Sequence, residues 1–398
     1  MPADASDEGG IPVAPAKRRL DGIESLRAYA ALSIVLFHLV HSAHNPPPAL
    51  LGFVGTHFGQ GVPLFFVLSG FSLGYGYFGK LETRTQVRNY FVRRFFRIAP
   101  LFYPALIFQL LYLWLGYGVT FAPIDVLLNA VFAFNVIPPL NDGIVPASWT
   151  IGVEMLFYAS FPTLMLACTT LRRSLLALVV GTAIAVRFGM LTGNIVDAVP
   201  MFVYHNFLKN LPFFLTGIVA AHVFVDDRFA RLADRSRTRG WLLIGAAIAA
   251  ALVLYNSAAL TMFFVSRDMR TLHESLWAVP FGLLCLGMAV HPTRVLSNPV
   301  TRYLGLISFS IYLTHANIVY KLGEIGFYRA INAAVGDHAL RAWVLCAVVT
   351  VLIVTAVASV TYRVFELPGM NLGKRLARSP VEAERPLAVA GMAVAVPA

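Results

Sequence analysis

An arginine and a histidine share the first apolar stretch of the chain: Arg27 and His38, eleven residues apart in LRAYAALSIVLFHLV. Ionisable side chains in a run this apolar need a partner or a function. On a helix rising about 1.5 Å per residue they stand roughly 16 Å apart, so an arginine near one membrane face anchors a helix that holds an imidazole deep in the bilayer. Glu154 adds a carboxylate in a second apolar stretch, SWTIGVEMLFYASFP. It lies roughly 10 Å below the outer end of its span, and its depth overlaps that of His38. A carboxylate that accepts from one imidazole nitrogen fixes the tautomer and leaves the other nitrogen as a base for a hydroxyl. The alternatives are a histidine capped by a carbonyl and a glutamate that bonds a neighbouring helix.

In YFVRRFFRIAPLFYPAL, Arg94 and Arg97 are three residues apart and share one helix face. Paired guanidinium groups suit phosphate oxygens, as in a nucleotide-bearing acyl donor, although a basic cluster that only fixes topology has the same spacing. Further on, LGLISFSIYLTHANI sets Ser308, Tyr312 and His315 in a polar stripe expected to face the bundle, for helix–helix hydrogen bonds or for substrate. The segment GVPLFFVLSGFSLGYGYFG reads as close packing through Gly61, Ser69, Gly70 and Gly74. Cys168, Cys285 and Cys346 lie in or beside apolar runs and read as packing residues, with neither a disulfide framework nor a metal site.

The elements that must position these groups are membrane spans. The chain is 58% hydrophobic and 13% charged, too apolar for a soluble domain of 398 residues. Ten spans are predicted, near 22–41, 61–79, 98–116, 147–170, 174–192, 199–225, 241–260, 272–290, 303–320 and 342–363. The net charge of +11 does not point to nucleic acid, because the basic residues collect in alternate loops. One set holds Lys17, Arg18 and Arg19, then Lys80 to Arg97, Arg172 and Arg173, Arg228 to Arg239, Arg294 and Arg302, and finally Lys374, Arg375 and Arg378. Loops 42–60 and 117–146 between them have no lysine or arginine. The fold class expected is an all-α polytopic membrane helix bundle with both termini cytoplasmic. Residues 122–140 must then be re-entrant or surface-lying, in keeping with Asn129, Asn135 and the Pro138-Pro139 pair. Residues 1–19 read as a disordered arm, 20–370 as one membrane domain and 371–398 as a disordered tail.

Six strings in order resemble the membrane acyltransferase family 3: LDGIESLRAYAALSIVLFH, GVPLFFVLSGFSL, RRFFRIAPLFY, SWTIGVEMLFYASFP, ISFSIYLTH and YRVFELP. Departures from the family pattern are small, Pro63 and Thr150 among them. The resemblance implies an enzyme of the cell (inner) membrane. It would move an acyl group, acetyl first, from cytoplasmic acyl-CoA to a hydroxyl of a cell-surface or lipid-linked carbohydrate. It implies catalytic roles for His38, as base or acyl carrier, and for Glu154, and donor contacts for Arg94, Arg97 and Arg27. Trp149, Tyr312 and His315 are assigned to substrate. Acyl-CoA is then a substrate, with no bound cofactor or metal and no nucleic-acid partner. Competing readings are an acceptor of the macrolide type, a proton-coupled transporter, for which no inverted repeat is visible, and a structural subunit of an export assembly.

Overall fold

The computed structural model describes residues 20–138, 142–192, 200–226, 236–267 and 269–377, which are helical with no β-sheet among them. The main helices are α1 Asp21–His41, α2 Gly61–Tyr77, α3 Arg84–Tyr117, α4 Pro123–Ala130, α5 Trp149–Ala167 and α6 Leu171–Thr192. They continue as α7 Phe207–Val225, α8 Ser236–Asn256, α9 Ala278–Val290, α10 Ser308–Glu324, α11 Ala339–Thr361 and α12 Leu367–Leu376. Nine stretches among the described residues are long and apolar enough to cross a bilayer: Asp21–His41, Ala49–Tyr77, Arg84–Tyr117, Trp149–Ala167, Leu171–Thr192, Met201–Val225, Arg237–Asn256, Arg270–Val290 and Ala339–Leu376. The protein is a polytopic helical membrane bundle.

The count differs from the expected ten at residues 303–320. Two helices stand there, Pro299–Leu306 and α10, interrupted at Ile307, whose φ of −93° and ψ of 11° are not helical. The short helix is seated on α1 through Gly305, where a Cβ would fall 1.8 Å from the Glu24 carbonyl oxygen. The chain then starts a new helix of 17 residues, a little short for an independent span. Its polar stripe does face the bundle: Ser308, Ser310, Tyr312 and His315 are all buried.

Residues 122–138 do not form a crossing helix. The eight residues of α4 reach about 12 Å and are followed by a 3₁₀ turn, Phe134–Val136. The two asparagines that argued against a span hold this segment in place. Asn129 Oδ1 accepts from the Ile144 N–H at 2.9 Å, and Asn135 Nδ2 donates to the His205 carbonyl at 2.7 Å.

The basic stretch from Arg84 to Arg97, expected as a loop, is the first part of α3. Its start is a capping box: Thr83 Oγ1 accepts from the Gln86 N–H while the Gln86 side chain accepts from the Thr83 N–H. Its end is set by Gly118 at φ 66°, in the left-handed region that glycine enters without strain. With 34 residues, α3 is about 51 Å long, more than a bilayer core needs, so the arginines ride on a rigid helix. At the other end of the chain, residues 371–376 belong to α12 and not to a disordered tail. Gly369 and Gly373 let α12 settle against Pro100 and Phe96 of α3, with Cβ positions 2.2 and 2.5 Å from those side chains. The arm 1–19, the tail from 378, and the basic residues Lys17 to Arg19, Arg228, Arg231, Arg235 and Arg378 lie outside the described residues.

Between α2 and α7 the backbones touch. A Cβ at Gly70 would fall 2.1 Å from the Phe214 carbonyl oxygen, and one at Gly217 would fall 2.1 Å from that of Val67. Small residues permit this approach. Gly70→Leu is therefore expected to destabilise the bundle by about 1–3 kcal/mol or more. Gly245→Ala, with nothing within 4 Å, should be neutral or stabilising. Thermal unfolding of the detergent-solubilised variants checks both.

Candidate active site: two adjoining cavities

The arginine cavity lies between α1, α2, α3, α5 and α10 and is lined by Arg27, Arg94, Arg97, Glu154, Ser69, Ser72 and Tyr158, among others. Arg27 Nη2 donates to Ser72 Oγ at 3.0 Å. Arg97 forms an ion pair with Glu366, whose other oxygen accepts from Ser310 Oγ at 2.7 Å. The buried Glu366 reaches Arg97 from a π turn, Tyr362–Glu366, between α11 and α12. Glu154 Oε1 accepts from Ser69 Oγ at 3.0 Å and from the Tyr158 hydroxyl. Among the described residues Arg94 makes no direct ion pair: its Cζ lies 6.0 and 5.7 Å from the ring centroids of Tyr77 and Tyr158, and its buried Nε has no hydrogen-bond partner. Three guanidinium groups against two carboxylates leave an excess positive charge here.

The histidine cavity is lined by His38 and Phe37 of α1, by Trp149 at the start of α5, and by Asp142, Tyr204, His205, Lys209 and Glu274. His38 Nδ1 lies 3.0 Å from the Ile34 carbonyl oxygen and 3.2 Å from His315 Nε2, while His315 Nδ1 lies 2.5 Å from the Tyr312 carbonyl oxygen. These contacts fix the tautomers. A ring nitrogen facing a carbonyl must donate, so neutral His315 carries its proton on Nδ1 and accepts on Nε2. His38 then donates from Nδ1, and its Nε2 bears the lone pair.

Around the rest of this cavity, the His205 ring stacks on Trp149 with centroids 4.1 Å apart and pairs with Asp142. Lys209, a buried residue of the cavity wall, pairs with Glu274 at 2.9 Å and lies 4.1 Å from the Tyr204 ring centroid. The hydrogen bond to His205 holds the Asp142 carboxyl below the usual carboxylate range.

The structure does not make the expected pair of His38 and Glu154. Glu154 lines the arginine cavity and His38 the histidine cavity, and the imidazole's side-chain partner is His315. The reason lies in α5. Trp149 reaches the histidine cavity, whereas Glu154, five residues on and roughly 7.5 Å further along the helix, reaches the other. Arg94 and Arg97 do share one cavity, joined by Arg27, but Arg97 is committed to Glu366. The two cavities have Val62 and Tyr312 in common.

Residues 20–361 match a protein family described as an acyltransferase domain. The chain belongs to the acyltransferase 3 family. It is similar to "Putative acetyltransferase ORF330" of Acidianus two-tailed virus, 27% identical over 323 residues that make up 78% of this chain and 87% of the relative. No solved structure matches it. The protein is thus a multi-pass membrane acyltransferase.

Several groups of this acyltransferase escaped sequence reasoning. Ser69, read as packing, donates to Glu154, and Tyr158 does the same. Glu366 stood in the YRVFELP string without a role; a carboxylate closing an apolar helix was the available signal. Asp142, the His205–Lys209 segment and Glu274 are far apart in sequence and carried none. The Asp142 carboxyl lowered in the folded state stabilises above the ordinary aspartate value near 4 and loses that contribution as pH falls through the lowered value. Asp142→Asn should therefore cost at most about 1 kcal/mol at pH 7, since Asp142 is largely exposed, and the difference from wild type should be smaller at pH 3, below the ordinary aspartate value near 4. Melting curves at both pH values test this.

Proposed function

We propose that this acyltransferase takes an acyl group, acetyl first, from acyl-CoA in the arginine cavity and transfers it to a hydroxyl of a cell-surface or lipid-linked carbohydrate in the histidine cavity. The observation that carries the reading is the adjacency of two unlike sites. One has excess positive charge and an Arg94 with no direct ion pair among the described residues; the other has an imidazole whose lone pair is left free. The first suits the phosphates of a coenzyme A thioester. The second suits a hydroxyl that must lose a proton. Trp149 and the His205 ring stacked on it offer a flat face to a sugar, with Asp142, Lys209 and Glu274 as polar partners. The basic residues at the start of α3 favour a cytoplasmic position for that end of the helix, which supports a donor drawn from cytoplasmic acyl-CoA.

In this mechanism His38 Nε2 accepts the hydroxyl proton as the oxygen attacks the thioester carbonyl. The new C–O bond forms, the C–S bond breaks, and the departing thiolate takes the proton back as free thiol. The bonds from His38 Nδ1 to His315 and to the Ile34 carbonyl become charge-assisted while the imidazolium exists. His315 thereby does the work expected of a carboxylate. Glu154 orders Ser69 and Tyr158 beside Arg94 on the donor side.

His38→Ala should lower transfer by about 10²–10⁴-fold at equal membrane levels. The check is mass spectrometry of surface glycans and small metabolites from expressing cells. An ester increment on a glycan, lost in the variant, is the expected result. An increment on a small metabolite would move the acceptor to the macrolide type, and identical profiles would remove His38 from the chemistry. Arg94→Gln should raise KM for acyl-CoA by about ten- to a hundredfold with a smaller effect on kcat, measured by thiol release in membranes.

A further inference from the structure

Val62 and Tyr312 line both cavities, so they are the side chains that stand between the arginine site and His38. Neither is loosely held. The Tyr312 hydroxyl donates to the Ala147 carbonyl at 3.0 Å, and its ring meets Phe65 edge-on with centroids 6.0 Å apart. Ala147 itself has a φ of 65°, a left-handed conformation that an alanine adopts only where its surroundings impose it. The Tyr312 carbonyl accepts from His315, which in turn accepts from His38, so the partition and the base belong to one hydrogen-bonded assembly. On the opposite side, Gly61 is pressed against α1, where a Cβ would lie 2.5 Å from the Ala30 carbonyl oxygen. The backbone that carries Val62 therefore has no room to withdraw toward α1.

We propose that Val62 and Tyr312 form a fixed partition past which only the acyl end of the thioester reaches His38, and that their bulk sets the acyl length this enzyme accepts. The inference rests on the reading of the arginine cavity as the donor site. A donor whose phosphates stay among the arginines presents its thioester at this partition, and each added methylene must fit between an isopropyl group and a phenol ring. Both side chains are 7% exposed, so an added methylene meets packed atoms and not solvent. The partition selects for acetyl over propionyl and butyryl.

The test is a competition between equimolar acetyl-CoA and propionyl-CoA in membranes that contain the native acceptor, read as the propionyl-to-acetyl ratio of the ester products. A ratio within one reaction does not depend on how much enzyme is folded. Val62→Ala, which removes two methyl groups, should raise the ratio by about tenfold, the scale on which one methylene is discriminated in an apolar pocket. Tyr312→Phe, which loses the bond to Ala147 and frees the ring, should shift it the same way. Val62→Ile should lower it. Val354→Ala, at a buried valine that lines neither cavity, should leave it unchanged. Ratios in Val62→Ala and Tyr312→Phe equal to wild type, with acetyl-CoA still consumed, would overturn the partition and leave the donor site standing. Wild-type membranes that consume neither thioester would overturn the donor reading instead, and the partition with it.

Discussion

A guanidinium group in an apolar interior needs an anion or a π face within reach, because the desolvation it suffers exceeds what packing alone returns. Three such groups meet in this bundle, and much of the surrounding structure answers them. Glu366 comes from a π turn near the end of the last span to meet Arg97, with Ser310 holding its second oxygen. Ser72 takes Arg27, and the rings of Tyr77 and Tyr158 flank Arg94. Glu154, tied to Ser69 and Tyr158, supplies the second negative charge. What remains among the described residues is three guanidinium groups against two carboxylates, a positive excess inside the bundle.

The helices act as rulers between the two cavities. Along α1, Arg27 and His38 reach different cavities; along α5, Glu154 and Trp149 do so. In α10, Ser308 lines the arginine side while His315 bonds His38, and Tyr312 between them faces both. A helix fixes such separations to within a residue's rise, about 1.5 Å, which flexible loops cannot do. The close α2–α7 backbone contact at Gly70 and Gly217 keeps one wall from shifting.

What was legible in the sequence followed from local pattern. Apolar length revealed the spans, and the interval from Arg27 to His38 revealed two stations along one helix. Where packing between distant segments decides, the sequence was silent. The break at Ile307 depends on Gly305 against α1, and the change of partner from Glu154 to His315 depends on how α5 and α10 are rotated. The Arg97–Glu366 pair spans 269 positions. Residue type alone cannot choose between that carboxylate and a substrate phosphate for Arg97. Ser69 looked like a small packing residue because its neighbours Gly70 and Gly74 are such residues; its hydroxyl matters only because Glu154 arrives opposite.

The Arg97–Glu366 bond also orders events during synthesis. Arg97 enters the bilayer with the third crossing stretch, while its carboxylate and the docking helix α12 come near the end of the described chain. Until those residues leave the ribosome, the nascent bundle carries an arginine-rich hollow with neither its counter-charge nor its closing helix. A product truncated after Thr361 would retain every cavity-lining group yet lack the carboxylate that pairs with Arg97 inside the bundle.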